Sequence, residues 1–328
     1  MGLFSRSFNP DIDLPDLKGK VIAVTGGSSG IGYATVQHLA RHGAKVYMAA
    51  RNEEKSKAAI ARLQTEGLAP GNGEIVWLDL ELSDPRNAKR AAEQLIAKEQ
   101  RLDVLINNAA MPRGPYALTS EGIQDVMAIN HVSPFVFTNT LLPLLYRTAK
   151  EPNSDVRIVN VASDGIMFLK RGVRFRNLGD FNDEHAHDLS PGLSRYFRSK
   201  IANVLFTQKL QKRLDADGVP IIAMALNPGT VRTEGLRNDA AHLPPVVSTL
   251  FSLLVDVGWA TPSKGAYTSV FAAATPAVRA QPDVYKDAYL EPPGKLGSPP
   301  NQDAKSPELA EELWNTTVEI LSNLGIVI

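Results

Sequence analysis

Four short runs along the chain are almost continuously apolar: VIAVT from Val21, VLINN from Val104, RIVNVA from Arg157 and IIAMAL from Ile221. Strands of this kind are covered on both faces, as in parallel sheets, and do not alternate as half-exposed strands do. Between them lie longer stretches with helical spacing of apolar positions. The pattern predicts strands at Lys20–Thr25, Lys45–Ala50, Glu74–Leu80, Asp103–Asn107, Val156–Ala162 and Pro220–Leu226. It predicts helices at Gly30–His42, Glu53–Glu66, Asp84–Glu99 and Ser194–Asp215, and a mostly helical Thr119–Thr148 with a hinge at Ser133-Pro134. Repeated strand–helix alternation means βαβ units and an α/β fold with a doubly wound parallel sheet flanked by helices.

The 328-residue length allows about two domains. There is no fixed-period repeat, low-complexity tract or clear linker, which favours a single domain. Residues 1–17 read as an N-terminal lead-in and 18–294 as the folded domain. The proline-rich Glu291–Pro300 then separates a C-terminal tail, 295–328, carrying the helix Pro307–Asn323.

One turn changes this outline into a candidate function. Thr25-Gly26-Gly27-Ser28-Ser29-Gly30-Ile31-Gly32 follows the first strand and opens the first helix. Glycines let the backbone turn tightly against a pyrophosphate, and the helix start offers free N–H groups and a positive dipole end. The alternative is a Gly/Ser-rich surface turn. At the end of the second strand an acidic residue would favour NAD through the ribose hydroxyl. The chain has Ala49-Ala50-Arg51-Asn52 there. Arg51 is placed to pair a 2′-phosphate, so NADP(H) is favoured over NAD(H); the alternative is a solvated cation. Asp79, ending the third strand with Leu80 beside it, can take an adenine amino group or cap the following turn.

Composition narrows the classes further. Lys and Arg number 35 against 35 Asp and Glu, so the net charge is zero. A nucleic-acid binder needs a basic excess, and none is expected as a partner. With no cysteine, thiolate catalysis, disulfides and cysteine-held metals are excluded. The longest apolar stretch, Val246–Val257, contains Ser248, Thr249, Ser252 and Asp256 and is too short to span a bilayer. The first residues have no signal-peptide core, and Arg6 breaks a myristoylation pattern. A soluble cytoplasmic protein is expected.

Thr25-Gly26-x-x-x-Gly30-x-Gly32, Asn107-Asn108-Ala109-Ala110, Ser163, Tyr196-x-x-x-Lys200 and Asn227-Pro228-Gly229 occur in that order. The chain thereby resembles the short-chain dehydrogenase/reductase family over roughly residues 18 to 294. Arg51, the long interval from Ser163 to Tyr196, and the segment Tyr196–Asn203 resemble its retinol-dehydrogenase-like branch, which includes the WW-domain oxidoreductase type. No WW module is present, since Trp77, Trp259 and Trp314 are far apart. Ala110 stands where the family usually has glycine. The resemblance implies a single-domain Rossmann fold and a nicotinamide cofactor.

Tyr196 and Lys200 are four apart on an expected helix and point the same way. A free tyrosine has a pKa near 10, and a nearby ammonium lowers it. Tyr196 can then exchange a proton with a substrate oxygen. Ser163, at a strand end, would hydrogen-bond that oxygen as charge develops. The resemblance adds roles: Lys200 holds the nicotinamide ribose, and Asn130 is a fourth catalytic residue holding a water in a relay to Lys200. It also places Asn107 and Ala109 beside the cofactor, and Pro228, Gly229, Val231 and Thr233 beside the nicotinamide. Each of these residues also has a plain structural reading, as a turn, cap or packing residue.

Other candidates weigh less. Asp183-Glu184-His185-Ala186-His187-Asp188 has metal-ligand types, but a solvated loop is the simpler reading, and no metal is expected. There is no Gly-x-Ser-x-Gly elbow for a hydrolase and no Walker lysine motif. The basic run Lys170–Arg176 reads as a charged loop, with an anionic substrate group or peripheral membrane contact as the alternative. Leu243–Trp259 is either core or, by resemblance, a cover for an apolar substrate. The reading is therefore an NADP(H)-dependent oxidoreductase acting on CH–OH donors, interconverting an alcohol and its carbonyl on a fairly apolar small molecule, with homo-oligomers open. A catalytically silent nucleotide-binding regulator or scaffold is the alternative. A methyltransferase would need an acidic second-strand end and no Tyr-x-x-x-Lys.

Overall fold

A computed structural model describes residues 7–231 and 259–328. Its centre is an eight-stranded sheet in the order β3-β2-β1-β4-β5-β6-β7-β8. The strands are β1 Val21–Thr25, β2 Lys45–Ala50, β3 Ile75–Asp79, β4 Val104–Asn107, β5 Val156–Val161, β6 Ile221–Leu226, β7 Tyr289–Glu291 and β8 Lys295–Gly297. All neighbours pair in parallel except β7 with β8. The helices used below are α1 Gly30–Arg41, α2 Glu53–Glu66, α3 Pro85–Lys98, α4 Ser133–Ala149, α5 Pro191–Ala216, α6 Pro262–Ala274 and α7 Pro307–Asn323.

The continuous apolar strands are buried on both sides, and alternate residues feed two cores. Ile158, Ile221 and Ala223 face a core that also holds Leu95 of α3, Leu141 of α4, Leu205 of α5 and Leu313 of α7. Val159, Ile222 and Met224 face the other, with Leu39 of α1, Leu63 of α2 and Val270 of α6. The strand order reverses between β1 and β4. In open parallel sheets a crevice forms at such a point, beyond the carboxyl ends of the strands.

Two sequence expectations need correction. The helix expected from Thr119 begins later. Gly122 adopts φ +72°, and a bridge pairs Leu118 with Gln124. Helix starts at Asp125, widens into a π turn over Ala128–Val132, and continues as α4. Pro134 explains the widening: it has no N–H to offer the carbonyl of Asn130 four residues earlier.

The expected boundary at 294 falls inside a β7–β8 hairpin that belongs to the sheet. The segment read as a tail is core. Leu313 of α7 is fully buried. The Trp314 ring lies 4.7 Å from Phe135 and stacks on Phe206 at 5.9 Å. Sequence periodicity located α7 correctly, but nothing local shows which surface receives it. Leu313→Ala is expected to lower the unfolding free energy by about 2–5 kcal/mol, measured by urea denaturation. A loss below about 0.5 kcal/mol would fit a peripheral helix.

Candidate active site

The cleft is built first from two strand ends. The Thr25 Oγ1 accepts the N–H groups of Asn108 at 3.0 Å and Ala109 at 2.9 Å. Asn108 returns the link by donating from Nδ2 to the Thr25 carbonyl at 2.8 Å. Between them the backbone has no room for side chains. A Cβ on Gly26 (φ +66°) would sit 2.9 Å from the Ala109 Cα, and one on Gly32 only 2.2 Å from the Gly26 carbonyl oxygen.

The N-terminus of α1 opens here. Its N-cap, Ser29, makes no side-chain capping bond, and no acidic residue stands in the first turn. By contrast α2, α3 and α7 are capped by Asn52, Asp84 and Ser306. The first N–H groups of α1 are thus available to an anion. A cleft of about 640 Å³ lies against them, with Ser28, Ser29, Gly30 and Ile31 on its wall. Arg51, Asn52 and Lys55 line the same cleft at the end of β2 and start of α2. A close-approach glycine turn, an uncapped helix start and two cations fit the anionic groups of a dinucleotide.

Several further expected residues reach the cleft: Gly26, Gly32, Leu80, Ala109 and Pro228. Others support it from behind. Thr25 is buried beneath the turn. Asn107 points inward, donating to Thr138 Oγ1 and Asn160 Oδ1 at 2.9 Å each; its neighbour Asn108 lines the cleft instead. Asp79 is exposed at the end of β3, outside the lining. The Gly229 N–H donates to Asn227 Oδ1, and Val231 is buried beside Gly265. Thr233, and the Leu243–Trp259 region except Trp259, lie outside the described residues.

Tyr196 and Lys200 project from α5 into the far end of the cleft. The Lys200 Nζ is buried, donates to the Val161 carbonyl at 2.8 Å, and stands 5.6 Å from the centroid of the Tyr196 ring. Burial disfavours both charged forms. It pushes Tyr196 up to about 12, against a hydrogen bond from Ser163, and Lys200 down to about 7. The expectation that Lys200 would lower Tyr196 is therefore reversed. Asn130 lies in the π turn with its side chain engaged. It accepts the Met111 N–H at 2.7 Å and donates to the Met111 carbonyl at 3.0 Å and Ser199 Oγ at 2.9 Å.

The other clusters carry internal pairs. His185 Nδ1 pairs with Asp188 at 3.0 Å, and Arg198 donates to Asp183 at 3.3 Å. Among the described residues no group of three or more His, Cys, Asp or Glu could hold a metal. In the basic run Arg174 pairs with Glu312 and Arg176 with Asp180. Lys55 was missed by sequence reasoning. Its signal was its position, four residues after Arg51 in the first turn of the next helix.

A family model for short chain dehydrogenase matches residues 20–168. A short-chain dehydrogenase/reductase of Armillaria gallica is 44% identical over 321 residues, covering 98% of each chain. Retinol dehydrogenase 14 of Homo sapiens is 36% identical over 272 residues, covering 80% of this chain and 76% of that one. Among solved structures, an uncharacterized protein of Mycobacterium paratuberculosis superposes with TM-score 0.69 at 29% identity, covering 97% of this chain and 98% of that one. A Pseudomonas aeruginosa RhlG/NADP active-site complex superposes with TM-score 0.63 at 26% identity, covering 85% and 96%. Among the described residues no helix is long and apolar enough to cross a membrane.

The buried lysine has a signature in stability. The folded chain holds the Lys200 proton only up to about pH 7, whereas the unfolded side chain keeps it to 10.5. Between these values the unfolded state binds more protons, so stability rises with pH across that window. The melting temperature is expected to climb from roughly pH 7.5 to 9.5. Lys200→Met should flatten that rise; an unchanged slope would contradict the burial of the charge.

Proposed function

The chain belongs to the short-chain dehydrogenase/reductase family, in its retinol-dehydrogenase-like branch, and from that premise we propose an NADP(H)-dependent oxidoreductase that interconverts an alcohol and its carbonyl. The observation carrying this reading is convergence. The glycine turn, the Arg51 and Lys55 cations and the Tyr196–Lys200 pair line one cleft, and Ser163 reaches it through its bond to Tyr196. When bound, NADP(H) supplies or accepts the hydride.

The chain's own residues do the rest. The open N–H groups of α1 hold the diphosphate, and Arg51 with Lys55 holds the 2′-phosphate. Lys200 holds the ribose hydroxyls. Tyr196, with its pKa near 12, stays protonated at neutral pH and can give its proton to a carbonyl oxygen. Ser163 donates a hydrogen bond as negative charge grows on that oxygen. Asn130 keeps the Met111 wall in place, and its main-chain carbonyl, left by Pro134 without an i+4 donor, would hold the water of a relay to Lys200.

The substrate is fairly apolar in this reading. The Phe197 ring lies 5.7 Å from Tyr196 and 6.2 Å from Phe168, and Met167 and Phe168 are exposed beside it. These side chains extend an apolar surface from the acid/base group.

Mixing the protein with NADPH and aldehydes and ketones graded from acetone to decanal should consume the reduced cofactor, followed by absorbance, fastest for the apolar members. Tyr196→Phe should lower kcat by about 10²–10⁴-fold while NADPH binding persists. Undiminished turnover in that variant would sink the mechanism, and a chain that binds NADPH but never consumes it would favour a silent binding protein. Arg51→Ala is expected to raise the KM for NADPH about 10–100-fold, the worth of a charge-assisted bond. Adding Ala50→Asp should shift preference toward NADH. Equal use of both cofactors by the unmodified protein would contradict the role of Arg51.

A further inference from the structure

Ser163 caps a 3₁₀ turn, Asp164–Phe168, that leaves β5 directly. Its Oγ accepts the Gly165 N–H at 3.1 Å. A hydroxyl has one proton and two lone pairs, so with one lone pair taken by the Gly165 N–H the proton stays free to be donated in the cleft beside Tyr196. The position of the Ser163 hydroxyl depends on how firmly the turn is held. A single short 3₁₀ turn has poor hydrogen-bond geometry and little stability of its own.

Its supports arrive from the far end of the chain. Asn301 is buried and donates from Nδ2 to the Ile166 carbonyl at 2.9 Å and the Leu169 carbonyl at 3.0 Å. Its Oδ1 accepts the Asp303 N–H at 3.0 Å. Both ends of the amide are thus committed, and a flipped amide would set its oxygen against two carbonyls. Tyr289 adds a third hold by donating to Asp164 Oδ1 at 2.9 Å. Asn301 itself does not line the cleft.

We propose that Asn301 is a positioning residue for the reaction: the two bonds from its amide to the carbonyls of Ile166 and Leu169 lock the turn and so hold the Ser163 hydroxyl beside Tyr196, where it can serve the substrate oxygen. The inference rests on the roles given above to Ser163 and Tyr196. It predicts an effect transmitted entirely through Ser163, which a general loss of packing would not produce.

The test uses Asn301→Ala and Asn301→Asp, the latter keeping the shape and losing the donor. Each is expected to lower kcat for NADPH-dependent reduction of decanal about ten-fold, with the KM for NADPH within about two-fold of the parent. Amide exchange over residues 164–169 should accelerate while the sheet strands keep their protection. In a Ser163→Ala background the same substitutions should change kcat less than about two-fold, because nothing remains for Asn301 to position. Additive losses in the double variants overturn the proposal, as does exchange over 164–169 as slow as in the parent. The exchange measurement needs no turnover. A parent inert toward the whole carbonyl panel, with fast exchange in the Asn301 variants, would sink the oxidoreductase reading and leave the hold on the turn standing.

Discussion

The close apposition of β1 and β4 at their carboxyl ends is the constraint from which the cleft follows. At this pair the sheet changes its winding direction, so the flanking segments diverge and leave a crevice. Thr25 and Asn108 lace the two ends with hydrogen bonds in both directions. The lacing draws the backbones so near that Gly26 and Gly32 cannot carry side chains. The same closeness turns the bare start of α1 toward the crevice. Glycine spacing, helix placement and the bare helix start facing the cleft are three results of one packing requirement.

At the other end of the cleft burial is the dominant force, and it acts on the two ionisable groups in opposite directions. A phenol and an ammonium both become neutral more readily in a dry environment. Tyr196 is thereby kept protonated, while Lys200 is brought near the point where it can gain or lose its own proton under mild conditions. Simple attraction between the two would have predicted a shared shift toward the charged forms. Desolvation outweighs it because the lysine nitrogen rests on a carbonyl oxygen, with the tyrosine ring several ångströms away.

Much of this was legible in the residues. Continuous apolar runs identified the inner strands because burial on both faces leaves no polar alternation to obscure them. The order of the glycine turn, the Asn-Asn-Ala strand end, Ser163 and Tyr196-x-x-x-Lys200 pointed to one candidate cleft because each sits at a strand end or on one helix. What could not be read was which of two adjacent asparagines faces the cleft. Asn107 turns inward and Asn108 outward, a choice made by strand register and by distant partners such as Asn160. The start of the helical stretch leading into α4 falls at Asp125 and not at Thr119 because an apolar helical spacing continues through the turn at Gly122. The membership of α7 in the core was hidden for a related reason: its receiving surface, Phe135 and Phe206, comes from far upstream.

The partnership of Asn301 with Ile166 joins residues 135 positions apart. A chain emerging from the ribosome can pair β1 with β4 well before the turn after β5 gains its supports, whereas α1 still waits for α6. Long-range contacts of this kind are costly to close and slow to form. The turn that carries Ser163 is consequently secured only once residues beyond 300 have joined the fold.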